Sequence, residues 1–164
     1  MTKFFISLIL LSLFSSFVYS QDSIPKIYNP DADAIADINN AIAKAKSENK
    51  HVLIQVGGNW CKWCIRLHHF IEAHPALDST IRADYVLIRV NYSKENKNPE
   101  AMKRLEYPQR FGFPVLVVLD GNGKRLHTQN TWYLEEEGTF YSEDKIKAFL
   151  KNWTVKAVSE DTYR

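Results

Sequence analysis

Two spacings of hydrophobic residues alternate along the chain and predict its secondary structure. Apolar residues recur at helical spacing, with polar residues between them, in four segments: 31–50, 61–73, 97–107 and 142–153. Short and nearly continuous apolar runs, typical of buried strands, occur in three segments: 51–58, 85–92 and 113–120. A glycine-rich turn after the third run, followed by a polar edge strand, indicates a β-hairpin.

Residues at the ends of these segments support the predicted helices. Asp31 or Asp33 is placed to cap the first helix, Asn98 the third and Ser142 the fourth. The second helix is expected to end before Pro75, because the residue before a proline disfavours helical backbone.

The order of the segments predicts the fold class. Helices that alternate with strands indicate an α/β fold, with a central mixed sheet, helices on both faces and a C-terminal hairpin plus helix. We expect one domain over residues 33–153. An irregular lead-in precedes it at 21–32, with a short edge strand at 26–28, and a loosely held tail follows at 154–164.

Residues 1–20 have the layout of a secretory signal peptide. Lys3 precedes an apolar run that ends near Val18, and cleavage is expected after Ser20. The run is shorter than the about 20 apolar residues of a membrane span, although a retained anchor stays open. We expect an exported protein without a membrane span after cleavage, periplasmic in a Gram-negative bacterium and otherwise secreted.

Charge and cysteine content narrow the class of function. The chain has 21 basic and 19 acidic residues and a formal net charge of +2. That balance gives no electrostatic argument for binding nucleic acid or an anionic membrane. Cys61 and Cys64 are the only cysteines, and an exported chain meets oxidising surroundings in which they can form a disulfide.

The cysteines lie where a buried strand turns into a helix. Residues three apart in a first helical turn are close enough for a disulfide, and the helix N-terminus favours a thiolate at Cys61. Cys64 lies deeper, so we expect Cys61 to attack and Cys64 to resolve the mixed disulfide. An inert disulfide and a copper or zinc site formed by Cys61, Cys64 and His68 remain alternatives.

The segments HVLIQVGGNWCKWC, YVLIRVN and FGFPVLVVLDGNGK resemble the thioredoxin superfamily, and most closely its exported thioredoxin-like and disulfide-isomerase-like members. The resemblance implies a thioredoxin-like fold and a redox-active disulfide between Cys61 and Cys64. It also implies a cis-proline at Pro114. Substrate contacts are expected from four residues of the motif and the proline loop: Trp60, Trp63, Phe113 and Pro114.

The chain departs from the family pattern in two places. Lys62 and Trp63 replace the dipeptides of better known members, so no redox potential can be inferred from the resemblance. Gln55 replaces a buried aspartate, and Arg89 matches the lysine of the next strand. We expect Gln55 beneath the cysteine helix. Because an amide cannot take up a proton, Cys64 should resolve mixed disulfides more slowly than in acid-bearing relatives.

The function implied by the resemblance is thiol–disulfide exchange with other exported proteins, in a direction that the sequence leaves open. We expect a monomer that needs no cofactor or metal. Its partners would be exported thiols or disulfides and an upstream redox protein. A metal-delivery protein and a thioredoxin-like binding module without redox role are the alternatives.

Overall fold

A computed structural model describes residues 26–136 and 140–164 of the chain, so the predicted signal peptide and its cleavage site lie outside the described residues. The helices are α1 Ala34–Glu48, α2 Lys62–Ala73, α3 Pro75–Asp84, α4 Pro99–Arg104, α5 Glu143–Asn152 and α6 Val155–Val158. The strands are β1 His51–Gly57, β2 Tyr85–Asn91, β3 Val115–Leu119 and β4 Arg125–Asn130. No helix in the described ranges is long and apolar enough to cross a membrane.

The four strands form one mixed sheet in the order β2-β1-β3-β4. Strand β1 pairs parallel with β2 and antiparallel with β3, and β4 completes the predicted hairpin. The hairpin turn is fixed by Asp120, whose Oδ1 accepts from the backbone N–H groups of Asn122 and Lys124, both at 2.8 Å. The predicted α/β class and sheet are confirmed.

Successive side chains of β1 point to opposite faces of the sheet, as the period of two requires. Val52, Ile54 and Val56 pack in a core with buried residues of α1 and α4. Leu53 packs in a second core with buried residues of α2, α3 and α5. Strand β1 is buried along its whole length. The cysteine segment follows its carboxyl end and leads into α2.

Helix α3 was not predicted, because Pro75 was interpreted only as the end of α2. The proline instead occupies the first turn of a new helix, where it has no N–H to lose. Leu77 and Ile81, four residues apart, are both buried and provide its apolar face. That spacing was the signal for α3 in the sequence.

The predicted helix at 97–107 is shorter in the structure. Helix α4 ends at Arg104, because Glu106 and Tyr107 adopt left-handed backbone with φ of 59° and 58°. Asn98 precedes the helix but does not cap it through its side chain, and its Nδ2 donates instead to the Asn91 carbonyl at 2.8 Å.

The remaining predicted helix ends and termini differ in part from expectation. Asp33 caps α1 by accepting from two backbone N–H groups at 3.0 Å, whereas Ser142 precedes α5 without a side-chain cap bond. No strand forms at 26–28, although Tyr28 is buried there. The tail at 154–164 forms α6 and a short 3-10 turn, Glu160–Thr162.

Candidate active site

The two cysteines form a disulfide at the start of α2, with a Cα–Cα distance of 5.2 Å. Cys61 is the residue before the helix, and its Sγ accepts a hydrogen bond from the backbone N–H of Cys64 at 3.1 Å. Cys61 is 5% exposed and Cys64 is fully buried, at 0%. The pair is therefore asymmetric, with one sulfur nearer the surface and next to a helix N–H that can stabilise a thiolate.

Gly57 leaves the room that the inner sulfur occupies. A Cβ at this position would lie 2.4 Å from the Sγ of Cys64 and 2.7 Å from the hydroxyl oxygen of Tyr28. Any side chain at the end of β1 would therefore displace the disulfide or the phenol. The same distances show that the Cys64 sulfur and the Tyr28 hydroxyl border one small space.

A second loop lies beside the disulfide. The Phe113–Pro114 bond is cis, and Phe113 packs against the cluster formed by Tyr28 and the two cysteines. Thr131 holds the loop by donating from its Oγ1 to the Pro114 carbonyl at 2.7 Å.

Aromatic side chains surround the surface side of the pair. Trp60 is 57% exposed, meets Phe113 edge to face with ring centroids 5.4 Å apart, and donates from Nε1 to the Tyr92 carbonyl at 2.8 Å. Trp60 and Tyr92 line an open cleft of about 600 Å³. Trp63 is half-buried and packs edge to face on Tyr141. Trp60 therefore offers more free surface than Trp63.

Gln55 lies beneath the cysteine helix, as predicted, and is 1% exposed. Its Nε2 donates to the hydroxyl oxygen of Tyr28 at 2.7 Å and to the Cys64 carbonyl at 3.1 Å. The amide thus connects the central strand to the residue that carries the inner sulfur. A buried amide with both N–H groups paired avoids the cost of an unpaired polar group.

Arg89 is the cross-strand partner of Gln55 in β2. Its Nη2 lies 3.0 Å from the Nδ1 of His68, while the Nε2 of His68 is 3.4 Å from a carboxylate oxygen of Glu72. Burial and the Arg89 charge lower the pKa of His68, partly offset by Glu72. The neutral form of His68 is therefore favoured. Arg89 thus contacts His68 of α2 while it also lies across the strand from Gln55.

The alternative metal set of Cys61, Cys64 and His68 is not assembled in this structure. Both sulfurs belong to the disulfide, and His68 hydrogen-bonds with Arg89. In the described part of the chain, the potential ligand atoms that cluster around His68 come from His69 and Glu72.

Two residues of the site were missed from the sequence: Tyr28 and Asn59. Tyr28 belongs to the lead-in, is 3% exposed, and packs against both cysteines. Asn59 holds it in place, because its Oδ1 accepts from the Tyr28 N–H at 3.0 Å and its Nδ2 donates to the Tyr28 carbonyl at 2.8 Å. The only sequence signal for this contact was an Ile-Tyr pair within an otherwise polar segment.

The four-stranded mixed sheet with a C-x-x-C disulfide at a helix N-terminus is the arrangement of a protein of thioredoxin-like fold. The family model for the thioredoxin-like domain matches residues 38–137. The chain therefore belongs to the thioredoxin-like domain family. The matched region contains the cysteine pair and Pro114 but excludes Tyr28.

Comparison with individual proteins agrees with this assignment. The chain is 27% identical over 117 residues to the disulfide bond reductase DsbH of Chlamydia pneumoniae, covering 68% of this chain and 69% of the relative. It is thus a homologue of a thiol–disulfide oxidoreductase and carries a C-x-x-C pair.

Two solved structures show the same fold. One is a disulphide isomerase from Xylella fastidiosa Temecula1, with a TM-score of 0.69 and 23% identity, covering 79% of this chain and 98% of the other. The second is a thioredoxin from Thermus thermophilus, with a TM-score of 0.55 and 16% identity, covering 81% and 90%.

Proposed function

We propose that the protein is an exported thiol–disulfide oxidoreductase that reduces disulfides in other exported proteins. The observation that carries this proposal is the asymmetric Cys61–Cys64 disulfide at the N-terminus of α2. The homology to a disulfide bond reductase supports the reducing direction.

The proposed reaction has two exchange steps. The Cys61 thiolate attacks one sulfur of a substrate disulfide, forms a mixed disulfide, and releases the other substrate sulfur as a thiolate that takes up a proton. The Cys64 sulfur, after losing its proton, then attacks the Sγ of Cys61. The bond between Cys61 and the substrate breaks, the second substrate thiolate leaves with the electron pair, and the Cys61–Cys64 disulfide re-forms.

The assignment of the two roles follows from exposure and hydrogen bonding. Cys61 is the more exposed sulfur, and it accepts the N–H of Cys64 at the positive end of the helix dipole. Cys64 has no exposed surface, so an incoming substrate disulfide reaches Cys61 first.

We assign substrate contact to Trp60, Phe113 and Pro114, and also to the half-buried Trp63. Trp60, which precedes Cys61 in sequence, contacts the ring of Phe113, and Phe113 packs against the cluster of Tyr28 and the two cysteines. The cleft next to Trp60 provides apolar surface for side chains that flank the substrate cysteine.

The surroundings of the pair favour a reducing couple. A couple is strongly oxidising when its reduced, thiolate form is well stabilised. Four hydrophobic residues pack with the two cysteines: Ile27, Tyr28, Trp63 and Phe113. The nearby Gln55 is uncharged and donates to the Cys64 backbone carbonyl. Lys62, adjacent in sequence, is exposed to solvent, where water screens its charge. Moderate thiolate stabilisation leaves the disulfide favoured and makes the dithiol a good electron donor.

The equilibrium potential of the Cys61–Cys64 couple in a thiol redox buffer tests the direction. We expect a value near the about −270 mV of thioredoxins and far from the about −120 mV of strong oxidants. The reduced protein should also reduce an inter-chain disulfide in a model substrate. A potential near the oxidant value would overturn the reductase assignment, and failure to exchange at all would overturn the whole proposal.

Export and partners complete the proposal. The apolar N-terminal segment led by Lys3 supports secretion, and the homology to a disulfide bond reductase supports a redox role. Each turnover oxidises the pair, so an upstream dithiol donor must reduce it again. Fractionation of cells that produce the full chain, followed by N-terminal sequencing, tests export and cleavage after Ser20.

A further inference from the structure

Tyr28 lies at the centre of the candidate site although it comes from the lead-in. Tyr28 is 3% exposed and packs in one buried cluster with both cysteines. Two hydrogen bonds to Asn59, which precedes the cysteine motif by two residues, fix its backbone. Asn96 adds a further anchor by donating from Nδ2 to the carbonyl of Pro30 at 2.9 Å. The lead-in is thus attached to the loops around the disulfide.

The hydroxyl of Tyr28 is oriented by the strand below it. Gln55 donates from Nε2 to the hydroxyl oxygen at 2.7 Å, which occupies one lone pair and leaves the O–H proton for a different acceptor. A Cβ on Gly57 would lie 2.4 Å from the Cys64 sulfur and 2.7 Å from this hydroxyl oxygen. The sulfur and the hydroxyl therefore border the same small space. A thiolate on Cys64 would therefore lie near a phenol whose oxygen already accepts a hydrogen bond from Gln55.

The phenol is suited to donate and not to accept a proton. Burial raises the pKa of Tyr28 far above its usual value, and the Gln55 hydrogen bond offsets this only in part. The hydroxyl is therefore protonated throughout the neutral range. An O–H donor held against a buried thiolate stabilises it more than a hydrogen bond between neutral groups does.

We propose that Tyr28 is a further catalytic residue, which donates a hydrogen bond to the Cys64 thiolate when the disulfide opens and when Cys64 resolves a mixed disulfide. The proposal rests on the proposed thiol–disulfide exchange. No net proton moves through Tyr28. The proton that Cys64 loses passes to water or to the leaving substrate thiolate, and Tyr28 lowers the energy of the sulfur anion in between. The phenol thus stabilises the Cys64 thiolate without accepting its proton, a step for which Gln55 has no acidic group.

The test uses Tyr28→Phe in the full chain, with Tyr85→Phe as the matched control. Tyr85 is equally buried at 3% exposure, but its hydroxyl donates to the Leu150 carbonyl in a different part of the core. A mixed disulfide formed at acid pH, where thiols stay protonated, is mixed by stopped flow with neutral buffer, and the release of the substrate thiol gives the resolution rate. We expect Tyr28→Phe to slow resolution on the order of tenfold, the usual weight of a hydrogen bond to a charged group, and Tyr85→Phe to leave it unchanged.

A second measurement does not depend on the proposed enzymatic role. In a Cys61→Ala background, Cys64 is the only thiol, and its alkylation rate against pH reports thiolate formation. Tyr28→Phe should move this profile to higher pH in the folded protein, whereas the profiles should coincide in denaturant. Unchanged resolution and an unchanged profile would overturn the inference. If the parent protein fails to exchange disulfides but the profile still shifts, the proposed function fails and the Tyr28 contact stands.

Discussion

The two faces of the sheet differ in chemistry along the neighbouring strands β1 and β2. Toward α1, strands β1 and β2 present only aliphatic side chains: Val52, Ile54, Val56, Val86, Ile88 and Val90. Toward α2, they present Leu53 and Leu87 together with the polar cross-strand pair Gln55 and Arg89. The side chains on the α1 face have no polar groups that require hydrogen-bond partners. The other face places an amide and a guanidinium under the helix that carries the disulfide.

The difference separates residues that stabilise the fold from residues that adjust the site. A buried polar group is costly unless it is hydrogen-bonded, and Gln55 is paired with both Tyr28 and the Cys64 carbonyl. The apolar face would accept any well-packed aliphatic set of the same volume. Substitutions on the two faces should therefore change different measured quantities.

The largest loss of stability is expected from the apolar face. Ile54→Ala removes a fully buried side chain from the α1 core and should lower the free energy of unfolding by about 2–5 kcal/mol. Because Ile54 points away from the disulfide, the resolution rate of the folded variant should stay within about twofold of the parent. Denaturant unfolding and stopped-flow exchange measure the two quantities, and a resolution rate that falls tenfold would contradict the separation of the faces.

Gly57→Ala acts at the point where β1 meets the site. The added Cβ collides with the Cys64 sulfur and the Tyr28 hydroxyl, and overpacking of this kind costs about 1–3 kcal/mol. Resolution should slow at the same time, because the inner sulfur and the phenol are pushed apart. Gly121→Ala is the control, since its Cβ would press on the backbone of Lys46 at 3.2 Å, far from the disulfide in sequence. Equal resolution rates in both variants would show that the collision relaxes without moving the sulfur.

Gln55→Asp converts the polar face into its acid-bearing form. The aspartate cannot donate to the Cys64 carbonyl or to the Tyr28 hydroxyl, so the unfolding free energy should drop by about 1–3 kcal/mol. A carboxylate can accept the proton of Cys64, so resolution should become faster between about pH 6 and 9. Stopped-flow resolution rates of the parent and the variant across this pH range test the prediction. A folded Gln55→Asp variant that resolves no faster at any pH would show that proton acceptance does not limit resolution.

The smallest effect is expected at His68, where the polar face meets α2. Burial and Arg89 lower its pKa in the folded state, so the unfolded chain binds the proton at higher pH. The stability that His68 contributes is present above the unfolded pKa of about 6.5 and is lost as the pH falls below it. His68→Asn should flatten the decline of unfolding free energy between about pH 7 and 5. An unchanged slope in folded His68→Asn would show that His68 does not carry this pH dependence.

The sequence predicted the features of the site that follow from short-range patterns. The alternation in HVLIQVGG places Gln55 and Ile54 on opposite faces of β1. The boundary between strand and helix places Cys61 at the helix N-terminus. The first feature depends only on the two-residue period of a strand, and the second only on where the apolar run ends and the helical spacing begins. Neither needs information about tertiary contacts.

The contacts that sequence reasoning missed join distant segments. Tyr28 meets Gln55 across 27 residues, from a lead-in with no periodicity, and Arg89 meets His68 across 21 residues. The register of β1 and β2 makes Arg89 a neighbour of Gln55, as predicted, but it gives no sign of the contact with His68. The hydrogen-bond partner of a long side chain on a strand depends on the helix that packs over that strand. The sequence of the strand alone does not specify this partner.

The most direct test of the account compares two single-cysteine variants with a peptide disulfide as substrate. Cys64→Ser leaves the attacking sulfur without its resolving partner, so a mixed disulfide through Cys61 should accumulate after acid quenching and be visible by mass spectrometry. Cys61→Ser keeps only the fully buried sulfur and should trap far less. Equal trapping, or more trapping in Cys61→Ser, would contradict the assigned roles and the proposed mechanism with them.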